Sequence, residues 1–295
     1  MKNKYVSVIG SLNYDFFLKV NRLPKPGENM HAKDLKFSCG GKGANQAYQM
    51  GKLGLNVYMI GCVGDDEYGD KCIQSLNDVK VNTSFIRRVH CNTGLGFVSV
   101  QEDGEVSAIL DEGANAFVSI DMIKALYDHI FNSEYVVLQM EIPMETIKYI
   151  IKEAEKHDVK IVLNPAPAQE LEEKYLNKVH YLIVNEVEAG FYLGENYSDE
   201  ELLEHGFDLR KKVKSGLILT LGSKGSYYID EYRTFIPIVK AKAVDSTGAG
   251  DSYIGSFVYG LFNGYTPVES CQLGARSSAQ TVEAFGRESM PSMLK

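Results

Sequence analysis

The chain has 295 residues, of which 44% are hydrophobic and 24% charged, values typical of globular proteins. Its net charge of −8 and the lack of a long basic run argue against nucleic-acid binding. Five cysteines without a CxxC pair predict reduced thiols and a cytoplasmic location, and six scattered histidines argue against structural zinc. No apolar stretch approaches the length of a membrane span, and we expect no signal peptide.

Short apolar runs alternate with longer helix-like stretches along most of the chain. The strand-like runs are 6–10, 57–61, 136–140, 161–163, 181–184 and 217–221, and clear helical patterns cover 44–53 and 144–157. This alternation predicts parallel βαβ units, hence an α/β fold with a mostly parallel sheet flanked by helices. We expect residues 1–295 to form one domain, with ligands bound at the carboxyl ends of the strands.

Two regions break this alternation and predict a second, smaller sheet. Residues 16–20 and 31–37 alternate apolar and polar side chains, and residues 94–101 and 105–110 resemble a β-hairpin joined by 102–104. We expect a small antiparallel sheet, built from about 14–38 and 94–112, that projects from the main sheet. Such a sheet could be a lid that excludes water from a site. The alternative is an edge sheet without a functional role.

The most informative segment is residues 245–251, with the sequence DSTGAGD, followed by an apolar, small-residue run that predicts a buried helix. Amides at the start of a helix point outward, and the helix dipole favours anions there. The amides of Gly248, Ala249 and Gly250 could therefore hold a phosphoryl group. A carboxylate beside an anion site, Asp251, is poorly placed to bind the anion but well placed to deprotonate an attacking hydroxyl. The alternative role for Asp251 is a helix cap.

Two further polar segments precede or follow predicted elements. Residues 40–45, GGKGAN, precede a helix without the Ser or Thr that a Walker A loop requires. Their glycines would let a polyol approach the backbone, and Asn45 offers both a donor and acceptors. Asn13 and Asp15 follow the first strand two residues apart, so they point the same way in an extended segment. Ordinary turns explain either segment equally well.

Three later strands also end in polar residues, at 139–141, 185–188 and 220–225. Any one of them could be an exposed strand end. Because the carboxyl ends of parallel strands meet at one edge of the sheet, their combination favours a binding site.

Taken together, these segments resemble the ribokinase (PfkB) family of carbohydrate kinases over nearly the whole chain. Residues 40–45 resemble the first signature of the family and residues 245–251 the second. Residues 164–168, NPAPA, and the pair Asn13 and Asp15 further resemble its ribose-phosphorylating members. The resemblance implies a ribokinase-like fold and transfer of the ATP γ-phosphoryl group to a primary hydroxyl, most simply that of D-ribose.

The resemblance also implies a role for each matching residue. Asp251 is the base, and the amides of Gly248, Ala249 and Gly250 stabilise the transferring group. The remaining residues fall into three sets: sugar contacts at Asn13, Asp15, Gly41, Lys42, Asn45 and Glu141; nucleotide contacts at Asn185, Thr220 and Gly222; and metal contacts at Glu188 for Mg²⁺ through water and at Asp245 and Thr247 for K⁺. The other K⁺ ligands are expected near Gly286.

Alternatives remain for the substrate and the activity. Asp111 brings a charge to the predicted lid, which leaves the identity of the sugar open. Other kinases of this family act on fructose, keto-deoxy sugar acids or nucleosides, and a sugar-binding protein without activity is a third possibility. We expect small-molecule partners rather than a membrane or nucleic acid. An open edge of the lid would also allow two subunits to pair as a homodimer.

Overall fold

The computed structural model describes residues 4–102, 106–194 and 197–294. Its strands follow the chain in the order β1 (Val6–Ile9), β2 (Asn13–Lys19), β3 (Asp34–Gly40), β4 (Val57–Gly64), β5 (Asn82–Val89), β6 (Gly94–Val100), β7 (Val106–Asp111), β8 (Tyr135–Leu138), β9 (Lys160–Leu163), β10 (Tyr181–Val184), β11 (Gly216–Thr220), β12 (Ser226–Ile229) and β13 (Arg233–Ile236). The six strands predicted for the main sheet are all present, as β1, β4, β8, β9, β10 and β11.

The helices lie between these strands and at the end of the chain. They are α1 (Lys42–Lys52), α2 (Glu67–Asp78), α3 (Ile120–Ala125), α4 (Tyr127–Phe131), α5 (Met144–Ala154), α6 (Glu173–Leu176), α7 (Glu186–Leu193), α8 (Asp199–Arg210), α9 (Ala249–Phe262) and α10 (Pro267–Thr281). Short 3₁₀ helices occupy Gly113–Phe117, Glu155–His157, Gly222–Lys224 and Arg287–Ser289. Among the described residues, no helix combines the length and apolar character needed to cross a membrane.

The described strands form two sheets. The larger has the order β13-β12-β11-β10-β9-β8-β1-β4-β5. Its strands from β11 to β5 run parallel, while β12 and β13 pair antiparallel at one edge. This confirms the predicted mostly parallel sheet, and it brings the ends of β1, β8, β10 and β11 to one edge.

Helices cover both faces of the large sheet because its central strands are apolar on both sides. In β8, Val136 and Leu138 face one core while Tyr135 and Val137 face the other. The first core contains apolar side chains of α3, α4, α5 and α8, and the second contains those of α1, α2 and α9. Continuous apolar strands are typical of a parallel sheet buried on both faces.

The smaller sheet, which we call the lid after its predicted role, has the order β3-β2-β6-β7. Its outer pairs, β3 with β2 and β6 with β7, are antiparallel, and they are joined by a parallel pair, β2 with β6. The turn predicted at Asp103 and Gly104 lies outside the described residues. The five cysteines lie in the described part of the chain as free thiols.

The two faces of the lid differ in chemistry. Asp15 lies opposite Gly96, and Gly96 opposite Leu110, so Asp15 and Leu110 share one face. Asp111 pairs with Leu95 and therefore lies on the other face, because side chains alternate along a strand. Asp111 therefore does not share the lid face of Asp15, a predicted sugar contact, whereas Leu110 does.

Candidate active site

Helix α9 begins at a glycine turn that sets the position of Asp251. Gly248 has a φ of 75°, a left-handed conformation that glycine adopts without a steric penalty. The Ala249 amide donates to the Ser246 carbonyl at 3.2 Å, a bond that the sequence did not predict. No hydrogen bond of the Gly248 or Gly250 amide is found among the described residues, so two of the three amides predicted to hold an anion are free to donate to one.

The Asp251 carboxylate is buried between α9 and α1. Its Oδ2 accepts a hydrogen bond from Nδ2 of Asn45 at 3.0 Å, and its Oδ1 accepts one from Nε2 of Gln46 at 3.0 Å. Gln46 is in turn held by Gln139, whose Nε2 donates to the Gln46 Oε1 at 2.6 Å. Both oxygens of the predicted base are thus fixed, one by the last residue of the first signature and the other by the residue that follows it.

Asn13 is oriented by a residue that the sequence did not single out. Nδ2 of Asn115 donates to Oδ1 of Asn13 at 2.7 Å, and Oδ1 of Asn115 accepts from the Leu12 amide at 2.9 Å. A side chain at Gly94 would collide with both amides, which explains the glycine there. The Asn13 Nδ2 remains available as a donor for a sugar hydroxyl.

Asp15 lies between two glycines of the lid. A Cβ at Gly40 would come within 1.8 Å of Oδ2 of Asp15, and one at Gly96 within 2.3 Å of its Oδ1. Oδ1 is buried and has no hydrogen-bond partner among the described residues, as is common where a ligand supplies one. Burial raises the pKa of Asp15 to about 7, with Glu141 adding to the effect and Arg287 opposing it.

Glu141 links the segment that follows β1 to the glycine loop, residues 40–45. Its Oε2 accepts hydrogen bonds from the Ser11 hydroxyl and, at 3.0 Å, from the Lys42 amide. The loop passes close to β1 because Gly41 has a φ of 85° and its missing Cβ would meet the Asn13 amide at 2.8 Å. The four predicted sugar contacts Asn13, Gly41, Lys42 and Glu141 therefore belong to one connected layer.

A cavity of about 250 Å³ opens at the carboxyl edge of the large sheet, next to Asp251. It is lined by Lys42, Asn164, Ile183, Val184, Asn185, Glu188, Thr220, Ser246, Gly248, Gly250, Asp251 and Ile254. The structure thus places the Lys42 side chain among the predicted nucleotide contacts. Burial opposes the charge of Lys42, but the carboxylates of Asp251, Glu141 and Glu188 outweigh it and raise the pKa of this lysine.

Glu188 and Asn185 form a reciprocal cap at the start of α7. The Glu188 amide donates to Oδ1 of Asn185 at 2.9 Å, and Oε2 of Glu188 accepts from the Asn185 amide at 3.0 Å. Burial raises the pKa of Glu188, against the opposing effects of the Asn185 amide and Lys42. Thr220 donates its hydroxyl to the Val184 carbonyl at 3.3 Å. Gly222 begins the 3₁₀ turn that follows Thr220 and does not line the cavity.

Asp245 links the second signature to the segment near Gly286. Its Oδ1 accepts from the Thr247 amide at 2.9 Å, and its Oδ2 accepts from the Gly286 amide at 3.2 Å. Asp245 and Thr247 lie beside Ser246 and Gly248, which line the cavity. The structure therefore brings together the segments from which a K⁺ site was predicted.

Most predicted site residues meet at this edge, but several participants were missed. Gln46, Gln139 and Ser246 hold or line the site, and their neighbours in sequence had already been selected. Asn115 contacts Asn13 across 102 positions of sequence and has no selected neighbour. Arg287 contacts Asn45 across 242 positions of sequence, and no local pattern indicates this contact.

Residues 3–293 match the family model described as pfkB family carbohydrate kinase. The chain belongs to this family. Membership confirms the predicted class of enzyme, a carbohydrate kinase, and the two signatures are the segments that meet at Asp251.

Individual relatives cover almost the whole chain. Ribokinase of Schizosaccharomyces pombe is 35% identical over 306 residues, covering 98% of this chain and 96% of the relative. Deoxyribokinase of Salmonella typhi is 34% identical over 260 residues, covering 86% and 84%. The structure of Arabidopsis thaliana ribokinase complexed with ribose and ATP is similar with a TM-score of 0.86 at 30% identity, covering 98% and 96%. These likenesses confirm the predicted ribokinase-like fold.

The Gly40→Ala variant tests whether Asp15 contacts the substrate. The added methyl group would displace the Asp15 carboxylate, while the backbone of Gly40 permits alanine. Loss of a hydrogen bond to a charged group costs about 1.5–3 kcal/mol, so we expect kcat/KM for the sugar to fall roughly 10- to 100-fold. Steady-state kinetics should show an unchanged KM for ATP. A normal kcat/KM for the sugar in a Gly40→Ala variant that folds would contradict the role of Asp15. The control is Ser107→Ala, which changes a residue on the exposed face of the lid.

The raised pKa of Asp15 predicts a pH-dependent stability of the ligand-free protein. The folded state holds a proton up to about pH 7 that the unfolded state loses near pH 3.8, so stability declines as pH rises through this interval. Between pH 5 and pH 8 the decline from this group is about 2–3 kcal/mol, and Asp15→Asn abolishes it. Urea unfolding of both proteins at the two pH values measures the difference. Parallel pH dependence in the two proteins would refute the assignment.

Proposed function

We propose that this protein transfers the γ-phosphoryl group of ATP to the primary hydroxyl of D-ribose, forming ribose 5-phosphate and ADP. The observation that carries this proposal is the position of Asp251. Its carboxylate lies at the start of α9, is held by Asn45 and Gln46, and lines the cavity that also contains Lys42. The relatives named as ribokinase, two of which cover 98% of this chain, support ribose as the acceptor.

The proposed step is a single in-line displacement. The ribose hydroxyl oxygen attacks the γ-phosphorus while Asp251 accepts its proton, and the bond to the β-phosphate oxygen breaks to release ADP. The amides of Gly248 and Gly250 and the positive end of α9 stabilise the charge on the transferring group. Lys42 can contribute a fixed positive charge, because its raised pKa keeps it protonated in the cavity.

The proposed metal sites fit the donors present. Both oxygens of Glu188 already accept hydrogen bonds from Asn185, which suits a contact to Mg²⁺ through water rather than a direct bond. When bound, Mg²⁺ would neutralise phosphate charge. Asp245 offers a carboxylate at the junction of the 245–247 turn and the Gly286 segment, and its oxygens are the hard donors that K⁺ prefers.

The sugar itself is proposed from the lid and from the relatives. Asn13, Asp15 and Glu141 supply polar groups on one side, and Leu110 supplies an apolar contact on the same lid face as Asp15. A 2-deoxy pentose is the second candidate, favoured by the 34% identical deoxyribokinase of Salmonella typhi. Fructose, a keto-deoxy sugar acid or a nucleoside, and a non-catalytic sugar-binding role, are further alternatives that a substrate screen separates.

We also propose that two copies pair through the outer face of the lid. Phe37, Phe16, Phe97 and Ile109 form one cross-strand row on this face, and Phe37, Phe97 and Ile109 are 42–75% exposed. An exposed aromatic and aliphatic row of this kind favours a protein interface.

Asp251→Asn tests the proposed base. A positioned base contributes about 10²–10⁴ in rate, so kcat should fall by at least about 100-fold. ADP release with D-ribose, ATP and Mg²⁺, with and without K⁺, measures the effect. Asp121→Asn changes a surface carboxylate whose side chain is 91% exposed and should turn over normally. Near-normal turnover by a folded Asp251→Asn protein would exclude Asp251 as the base.

Ile109→Asp tests the proposed dimer. A charge on the 75% exposed Ile109 would have to be desolvated in the interface, so the variant should sediment as a monomer where the wild type is a dimer. Ser107→Asp introduces the same charge on the same strand face, outside the aromatic row, and should perturb association less. A monomeric wild type at micromolar concentration in sedimentation velocity would rule out the dimer.

A further inference from the structure

Arg287 is a buried cation directly behind the proposed site. It is only 2% exposed, and no ion pair to it is found within the described part of the chain. Its Nη1 donates to Oδ1 of Asn45 at 3.3 Å, its Nη2 donates to the Ser75 hydroxyl at 3.0 Å, and its guanidinium lies 4.9 Å from the centre of the Tyr48 ring. Its Nε is buried without a hydrogen-bond partner in the described residues.

A guanidinium buried in this environment lowers the free energy of unfolding of the protein. Burial of a charge that has no hydrogen-bonded carboxylate carries a desolvation penalty, which neutral hydrogen bonds, a ring contact and the more distant Asp15 charge only partly offset. A methionine or leucine would fill similar space at less cost. The presence of arginine therefore indicates a role other than packing, and its nearest polar neighbours indicate where that role lies.

One of these neighbours, Asn45, is the amide that holds the proposed base. Asn45 accepts from Arg287 through Oδ1 and donates to Oδ2 of Asp251 through Nδ2. Arginine has only donors, so it must face the oxygen of the Asn45 amide. A carboxylate has only acceptors, so it must face the nitrogen of the same amide, and the two partners therefore favour one orientation of Asn45. The guanidinium is thus linked to one carboxylate oxygen of Asp251 through two hydrogen bonds of the Asn45 amide. The other oxygen is held by Gln46 and Gln139, a chain of neutral amides.

The backbone around Arg287 is anchored independently of its side chain. Lys52 donates to the carbonyl of Glu288 at 2.6 Å, Gln49 donates to that of Pro291 at 3.2 Å, and the Gly286 amide donates to Asp245 at 3.2 Å. Removal of the guanidinium should therefore leave the 286–291 segment in place. For this reason an experiment can separate the effect of Arg287 on the stability of the protein from its effect on the position of Asp251.

We propose that Arg287 is a positioning residue for phosphoryl transfer, which orients Asn45 and through it holds the Asp251 carboxylate at the acceptor hydroxyl. This inference rests on the proposed function. Arg287 lies outside both signatures, and by this inference it helps to align the Asp251 carboxylate. A small displacement of a reacting group lowers the rate of the step with little effect on nucleotide binding.

The test is a double-mutant cycle with Arg287→Met and Asn45→Ala, measured by ADP release with a saturating sugar. Arg287→Met should lower kcat roughly 10- to 100-fold and leave the KM for ATP within about threefold, because the nucleotide contacts are untouched. In the Asn45→Ala background the same change should lower kcat by less than about twofold, since the hydrogen bonds that link Arg287 to Asp251 are already lost. Arg287→Lys restores a donor to Asn45 and should recover part of the loss. Arg276→Met, at an exposed arginine, is the matched control.

Two outcomes would overturn the inference. The first is a kcat for Arg287→Met within about twofold of wild type in a folded protein. The second is an equal loss in both backgrounds, which would show that Arg287 acts independently of Asn45. Thermal unfolding of each variant separates loss of fold from loss of rate. A wild-type protein that releases no ADP with any sugar would instead overturn the proposed function, and the role of Arg287 with it.

Discussion

The site depends on two hydrogen bonds from helix α1 to a carboxylate more than 200 residues later in the chain. Asn45 and Gln46 donate to the two oxygens of Asp251, each at 3.0 Å. These bonds join the start of α9 to the start of α1, so the predicted anion-binding amides, the predicted base and the predicted sugar contacts share one edge of the sheet. Neither signature contains all of these groups, so the predicted site requires this contact.

A second constraint is the close approach of backbone to side chain in the lid. Gly40 and Gly96 leave room for the Asp15 carboxylate, and burial then raises its pKa to about 7. A buried, partly unsatisfied carboxylate lowers the stability of the ligand-free protein. Sites that bind polar ligands commonly give up stability in this way, because the missing partners are supplied by the ligand. The same reasoning applies to Arg287, which contacts the neutral groups of Asn45, Ser75 and Tyr48 and whose charge also opposes the raised pKa of Asp15.

The fold was largely predictable because its signals are local. Apolar runs bounded by polar strand ends located β1, β4, β8, β9, β10 and β11, and the alternating segments located the lid. The side of the lid that Asp111 faces was not predictable, because it depends on the pairing register of β6 and β7. A shift of one residue would have placed Asp111 beside Asp15.

The site was predictable where it coincides with the signatures and not where it depends on long-range contacts. Gln46, next to Asn45, and Gln139, close to Glu141, were within reach of sequence reasoning. Asn115 and Arg287 were not, since they contact Asn13 and Asn45 across 102 and 242 positions. Hydrogen bonds between distant segments carry no sequence periodicity, so such residues emerge only from the folded chain.

Phosphorus NMR of the reaction mixture tests most directly whether this protein phosphorylates ribose. The protein is incubated with ATP, Mg²⁺ and D-ribose, and the phosphorus signals are followed with time. We expect the ATP γ-phosphorus signal to be replaced by that of a sugar phosphate monoester assigned to ribose 5-phosphate, in equal amount to the ADP formed. ADP accompanied only by inorganic phosphate, or no loss of ATP with ribose, would contradict the proposed phosphoryl transfer to ribose.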